Sequence, residues 1–354
     1  MAMINKERER IMNRIKYITL LCVLLAFLGW STSVLADPPI KYAQAGMPFL
    51  NIDVGSRVGM AGTTMGIIGD AEAMFANPAA LASLEKLEFF ASNTNWIADI
   101  KHYAVGAAYN TGQYGIFGVN AVFMDYGDFE RTIPYFGNDP TLRNKGYINQ
   151  GTFQVSEYAI GISYARRITS QFFVGGNLKY ASQNLGDVDV FDEVRGVVIE
   201  DKKQEVSNLV LDLGTLYYPG WKDLRFGVAF RNFADQSDYY DQRFELPLTF
   251  DFGIAMDIMT LFTDGASDHK LTAAFDWLHP RDYAERQHFG LEYSFMETFY
   301  LRAGYKFNYD EQGLTAGLGF KKDMSGVGMK VDFVYQDFGI FDQVTRLSVG
   351  LFLK

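Results

Sequence analysis

From about residue 87 to its end, the chain alternates apolar and polar side chains with period two, over and over, in runs of about 8 to 11 residues. In the stretch from Phe299 to Tyr309 one face carries Phe299, Leu301, Ala303, Tyr305, Phe307 and Tyr309, and the other carries Tyr300, Arg302, Gly304, Lys306 and Asn308. A β-strand sends those two sets to opposite sides of a sheet. Leu224, Phe226, Val228 and Phe230 stand in the same way against Arg225, Gly227, Ala229 and Arg231. Fourteen such segments are expected, near 87–96, 100–109, 114–124, 151–166, 169–182, 206–218, 223–233, 246–258, 269–278, 286–296, 299–309, 313–321, 328–336 and 344–352. An even count returns a closed antiparallel barrel to the side on which it began. The expected fold is therefore an all-β, fourteen-stranded antiparallel transmembrane β-barrel over residues 87–354, with residues 37–86 as an N-terminal hatch or plug.

A helical membrane protein would need apolar runs of roughly 20 residues. One such run exists, and it reads as a signal peptide over residues 1–36. Arg14 and Lys16 precede an apolar core from Tyr17 to Trp30, and Val34-Leu35-Ala36 offers a cleavage point before Asp37. The alternative is a retained anchor, and Met12 is an alternative start. The sole cysteine, Cys22, falls inside this core, so a chain cut near Ala36 has no disulfide, thiolate or cysteine-held metal. Removing residues 1–36 takes away five basic and two acidic side chains and moves the net charge from −10 to −13. Such a chain argues against nucleic acid as a partner.

Connection lengths alternate as well. Residues 110–113, 167–168, 219–222, 297–298 and 322–327 are short, whereas 125–150 and 183–205 are expected as long loops. Short periplasmic turns opposite long extracellular loops mark an outer-membrane barrel; the 259–268 connection is longer than the rule. A soluble pair of stacked sheets would alternate too, but it would not expose an aromatic and aliphatic face on nearly every strand. Residues 37–86 lack the alternation. Asp70 is expected to cap a short helix beginning at Ala71, and Asn77-Pro78 to interrupt it.

The segments Phe49-Leu50-Asn51-Ile52-Asp53-Val54-Gly55-Ser56-Arg57, Met60-Ala61-Gly62 and Ala76-Asn77-Pro78-Ala79-Ala80-Leu81, followed by Leu246-Pro247-Leu248, Leu301-Arg302-Ala303-Gly304-Tyr305-Lys306 and Gly317-Leu318-Gly319-Phe320-Lys321, resemble the PorV/PorQ family of outer-membrane proteins. The resemblance runs through almost all of the mature chain and makes Asn77, Pro78 and Ala79 the family hatch motif. It implies a fold similar to FadL-type fatty-acid transporters, with fourteen strands and a hatch in the lumen. It also implies a role in type IX secretion, where the PorV-like member binds the C-terminal domain of an exported cargo protein. Passive transport of hydrophobic small molecules, as in FadL-like proteins, is the alternative, and a non-transporting scaffold is third. Expected partners are outer-membrane lipid and lipopolysaccharide, the barrel assembly machinery, and either cargo proteins or hydrophobic solutes, with a monomeric barrel inside a hetero-complex.

Placing the polar faces in the lumen puts Lys179, Arg225, Arg231, Arg302, Lys306, Lys330 and Arg346 there, together with Asp212, Asp251, Asp257, Asp276, Glu292 and Asp332. Seven positive and six negative positions point to mutual ion pairing rather than a charge-selective pore. Wall glycines among them leave room for a hatch or a conduit. Tyr126, Phe129, Tyr135 and Phe136 in one expected loop, and Asp187, Asp189, Asp192 and Glu193 in the other, are the candidate surface contacts. The four histidines, His102, His269, His279 and His288, show no metal spacing, no cofactor is indicated, and no nucleophile is positioned for catalysis. Phe352 lies two residues before the end, where barrel assembly signals often place an aromatic last.

Overall fold

The computed structural model describes residues 45–192, 197–239, 242–262 and 267–353. The expected signal peptide lies outside the described residues. Fourteen strands close into one antiparallel barrel. The first six are β1 (Leu87–Asn95), β2 (Lys101–Asn110), β3 (Ile116–Pro134), β4 (Tyr147–Arg167), β5 (Phe172–Asp192) and β6 (Val197–Tyr217). After β7 (Arg225–Phe233) comes a small separate hairpin, β8 (Ser237–Tyr239) and β9 (Gln242–Phe244), and the wall resumes with β10 (Thr249–Asp257) and β11 (His269–Pro280). It finishes with β12 (Arg286–Phe295), β13 (Phe299–Phe307), β14 (Leu314–Met324), β15 (Val327–Asp337) and β16 (Gln343–Leu353).

Closure is made by β1 on β16, in register from Leu87 opposite Leu353 to Asn95 opposite Thr345. It leaves no edge strand, which hydrocarbon could not solvate. The alternation sets the faces: on β13, Arg302, Gly304 and Lys306 are inward, while Leu301, Tyr305 and Phe307 are exposed outward. The wall begins at Leu87 and ends at Leu353 on one rim, the periplasmic one in a barrel of this kind. Its tightest turn, Ser325-Gly326 between β14 and β15, has φ of 58° and 95°. Positive φ at both central residues matches the strand twist and favours glycine.

The two expected long loops are corrected. Strands β3 and β4 pair as far as Pro134 opposite Tyr147, and β5 and β6 as far as Asp192 opposite Val197, so both connections are mostly tall hairpins. The β3–β4 tip carries one helix, α1 (Pro140–Lys145), capped by Asp139. In the upper parts of β3 and β4 polar residues follow one another, as at Glu130-Arg131-Thr132 and Asn149-Gln150, so the period-two signal fades although the backbone ladder continues.

Residues 45–86 run through the lumen as four short 3₁₀ turns, Pro48–Asn51, Ser56–Met60, Ala71–Phe75 and Pro78–Ser83. The expected cap at Asp70 is not made; its carboxylate instead accepts a 2.8 Å bond from Lys330 on the wall. Asn77 does cap, accepting from the Ala79 amide at 3.0 Å. Its amide nitrogen donates to the Thr215 and Val228 carbonyls of β6 and β7 at 3.1 and 3.4 Å. Three cross-strand glycine pairs hold this segment. Gly290 faces Gly304, Gly227 faces Gly253, and Gly175 faces Gly214. A Cβ on Gly290 would sit 2.6 Å from that of Met60, one on Gly253 would meet Met65, and one on Gly175 would strike Pro78. The wall is bare of side chains where the lumen segment presses against it.

Candidate functional site

The inward residues of the strands and the lumen segment partition the interior into two mouths and a wall patch. At the periplasmic mouth lies a cavity of about 410 Å³ bordered by Asp70, Glu88, Glu292, Arg302, Lys330 and Asp332. Arg302 bridges Glu292 at 2.6 Å and Asp332 at 2.5 Å, and Lys330 reaches Asp70 at 2.8 Å and Glu88 at 3.5 Å. Each of these buried cations is answered by two carboxylates. Nearby, Glu72 accepts from the Ser56 amide and hydroxyl at 2.9 and 2.7 Å. Burial, and then the neighbouring Asp70 charge, push the Glu72 carboxyl above its ordinary range, against the pull of Lys330 and Arg57.

The opposite mouth holds a cavity of about 390 Å³ floored by Pro48, Asn51, Ile52 and Asp53. Lys306 pairs with Asp53 at 2.7 Å and Arg231 with Asp251 at 2.9 Å. Burial alone would raise the Asp53 carboxyl, yet Lys306, Arg231 and His288 hold it well below the usual carboxylate range.

The expected lumen residues are all inside, but they do not form one mutual network. Lys179 pairs with Asp212 at 2.8 Å, and the Arg231–Asp251 and Arg302–Glu292–Asp332 sets join strand to strand. The others turn to the lumen segment or to turns, except Arg346, which stays on the neighbouring strand. Arg225 donates to the Met65 and Gly66 carbonyls at 2.7 and 2.9 Å. Asp276 accepts from the Thr64 amide and hydroxyl at 2.6 and 2.7 Å. Asp257 caps the periplasmic turn through the Met259 amide at 2.9 Å. Arg346 donates to Gln336 at 2.9 Å. The reason is steric: period two says which side chains face inward, whereas the segment threading the lumen decides which of them can meet. The inward phase of β1 and β12 could have found Glu88, Arg286 and His288. Asp53 and Asp70 lie in a stretch without period, where no such signal exists.

Of the expected surface contacts, Phe136 is exposed and Phe129 stacks on Phe153 with centroids 5.6 Å apart. The Tyr135 hydroxyl accepts from the Asp139 amide at 3.1 Å. Tyr126 is a correction: its hydroxyl turns inward to the buried Glu157, because the strand continues past the expected loop start. Asp187, Asp189 and Asp192 belong to β5, and Glu193 lies outside the described residues. Among the described residues no group of three or more His, Cys, Asp or Glu is arranged to hold a metal ion.

The third feature is in the wall. On the lipid side of β1, β2, β3 and β16 runs an apolar groove of about 490 Å³ over Ala91, Ala107 and Ala121. The inward positions behind it include Gly106 and Gly118, and the Met74 thioether packs on both. Across this thin patch, a small internal cavity of about 30 Å³ is lined by Leu50, Ile52, Val54, Phe75 and Val122 on one side and by Asn177 and the paired Lys179 and Asp212 on the other. Asn120 borders the groove and the cavity alike. The β2–β3 ladder is in register through the whole patch, so the wall is closed here.

No protein-family model matches the chain, and no curated protein matches it. Solved structures do. The monoaromatic hydrocarbon channel CymD superposes with a TM-score of 0.53 at 15% identity, over 84% of this chain and 95% of its own. The Pseudomonas putida toluene transporter TodX gives 0.51 at 11% identity, over 88% and 98%. The Ralstonia pickettii toluene transporter TbuX gives 0.50 at 14%, over 85% and 98%. At these identities the likeness speaks for the fold: a closed fourteen-stranded barrel like the FadL-type outer-membrane barrels.

Proposed function

We propose that the chain is a plugged outer-membrane channel that passes hydrophobic solutes sideways through the wall. The observation that carries this reading is the thin patch at Asn120, where a small internal cavity, apolar on its Leu50–Val54 side, and an apolar lipid-side groove lie back to back with glycines and alanines between them. Small side chains on both faces lower the steric cost of parting the strands, and Met74 is the flexible group that must move. Channel and transporter structures of the same fold support the class, at the level of analogy. The test is uptake of radiolabelled toluene by cells making the protein, set against cells with an empty vector and against Ala107→Trp. Uptake several-fold above the empty vector, reduced in Ala107→Trp, is expected; uptake equal to the empty vector overturns the proposal.

A PorV-like role in protein export is the second reading. It is favoured by the tall β3–β6 wall, whose exposed Phe129 and Phe136 stand at the rim opposite Leu87 and Leu353, and by the motif resemblance around Asn77. Crosslinking in native outer membranes separates the two: enrichment of exported proteins through their C-terminal domains favours export, and its absence leaves the channel.

A further inference from the structure

The outer mouth contains two arginines that the interior does not neutralise. Arg346 is 1% exposed, lines the cavity, and has no carboxylate within ion-pair distance among the described residues. Among the described residues its hydrogen-bond acceptor is Gln336, and its Nε is buried without a partner there. Arg286 lies in the same cavity between the rings of Tyr283 and Tyr309, 4.0 and 4.1 Å from their centroids, and its Nε is also unsatisfied. Both arginines act electrostatically on Lys306, which is itself engaged with Asp53. A buried cation left with an orphaned donor costs stability, and natural interiors seldom keep one without a partner.

From this arrangement we infer that the outer mouth is a binding site for a small organic oxyanion, gripped by Arg286 and Arg346. The Tyr283 and Tyr309 rings hold the Arg286 guanidinium in place, and a guanidinium edge is a fork that matches a carboxylate or phosphate with two parallel bonds. The lining also names a second requirement. Asp282 is buried, has no cationic partner among the described residues, and leaves Oδ1 without a donor. It suits a ligand that carries a hydroxyl or amine beside its oxyanion. His288, bonded through Nε2 to the Tyr309 hydroxyl at 2.8 Å, leaves Nδ1 free for the same ligand. Pro48, Asn51, Ile52 and Asp53 line the cavity, and its volume of about 390 Å³ suits a short ligand rather than a long-chain amphiphile.

This site does not rest on the sideways route, and a failed toluene uptake assay leaves it standing. The experiment is calorimetric titration of the folded, full-length barrel in detergent with 4-hydroxybenzoate and, separately, with inorganic phosphate. Arg286→Gln and Arg346→Gln are titrated alongside, with folding of each verified by heat-dependent gel mobility. Saturable binding of at least one probe is expected, weakened about tenfold or more in either variant, as for a lost charge-assisted contact. The preferred probe separates a carboxylate from a phosphate ligand. Should Arg346→Gln fail to fold, the less buried Arg286 carries the test. Absence of saturable binding of both probes, or binding unchanged in Arg286→Gln, overturns the inference.

Discussion

The two mouths of the barrel are built from the same residue types and treat them oppositely. At the periplasmic mouth Arg302 and Lys330 each have two carboxylates within reach, contributed by the strands and by Asp70 of the lumen segment. At the outer mouth Lys306 and Arg231 are paired, but Arg286 and Arg346 are left over. A mouth with both of its buried cations answered has structure as its business. One with spare donors is prepared for something that arrives from outside.

The contrast is broken most severely at Arg302. Arg302→Met removes the cation and leaves Glu292 and Asp332 facing one another inside the wall. Stranding buried carboxylates in this way is expected to cost about 3–5 kcal/mol, read as a fall in the urea midpoint of the barrel refolded into lipid vesicles. A midpoint within error of the wild type would mean that water already solvates that cavity and that the periplasmic pairs hold nothing together.

Next in size is the lumen segment's grip on the wall. Gly304→Leu drives a side chain into the backbone at Met60 and Ala61, and overpacking of this kind costs about 1–3 kcal/mol. If the segment yields rather than the wall, the same variant should raise ion conductance across a planar bilayer. Gly313→Ala is the matched control, because a Cβ there meets nothing nearer than 3.6 Å. Equal behaviour of the two variants would contradict the close fit of glycine pair to lumen segment.

How much of this was readable in the sequence differs between the wall and its contents. Strand phase was legible because Arg302 and Lys306 alternate with Leu301 and Tyr305, and a strand has only two faces. Strand length was not, for in the stretch from Tyr147 to Gly151 the exposed Asn149 and Gln150 follow one another without alternation and only the backbone ladder marks the strand. Partner choice inside was least legible. Lys306 and Lys330 both read as wall cations, yet their nearest carboxylates are Asp53 and Asp70, more than 250 residues earlier in a segment with no period at all.

Acid distinguishes the mouths by sign. Asp53, near the outer one, is held below the usual carboxylate range, so its ion pair contributes stability that is present above the ordinary carboxylate range and is lost as pH falls toward the depressed value. Glu72, on the periplasmic side, is raised, so its charged form opposes folding at neutral pH, and acidification through the raised value relieves that opposition. Unfolding midpoints measured from neutral to acid pH should therefore show Asp53→Asn weakest against wild type at neutral pH and converging with it in acid. Glu72→Gln should equal or exceed wild type at neutral pH and lose that advantage in acid. Parallel curves for the two variants would mean that the mouths do not differ electrostatically.

The smallest effect on stability is expected where binding should suffer most. Arg346 has no carboxylate to strand, and its cation makes one hydrogen bond to Gln336 and lies 5.7 Å from the Trp96 ring centre. Replacing it by methionine keeps most of the buried volume and removes a charge that has no carboxylate within ion-pair distance among the described residues. Exchange of an uncompensated buried ion for an apolar side chain is neutral or stabilising, within about 1 kcal/mol, less the bond to Gln336. The urea midpoint of Arg346→Met should thus match or exceed that of the wild type, in contrast to Arg302→Met. A loss as large as that at Arg302 would show Arg346 to be part of the framework, with a protein partner for its charge, and would remove the distinction between the two mouths on which the oxyanion site depends.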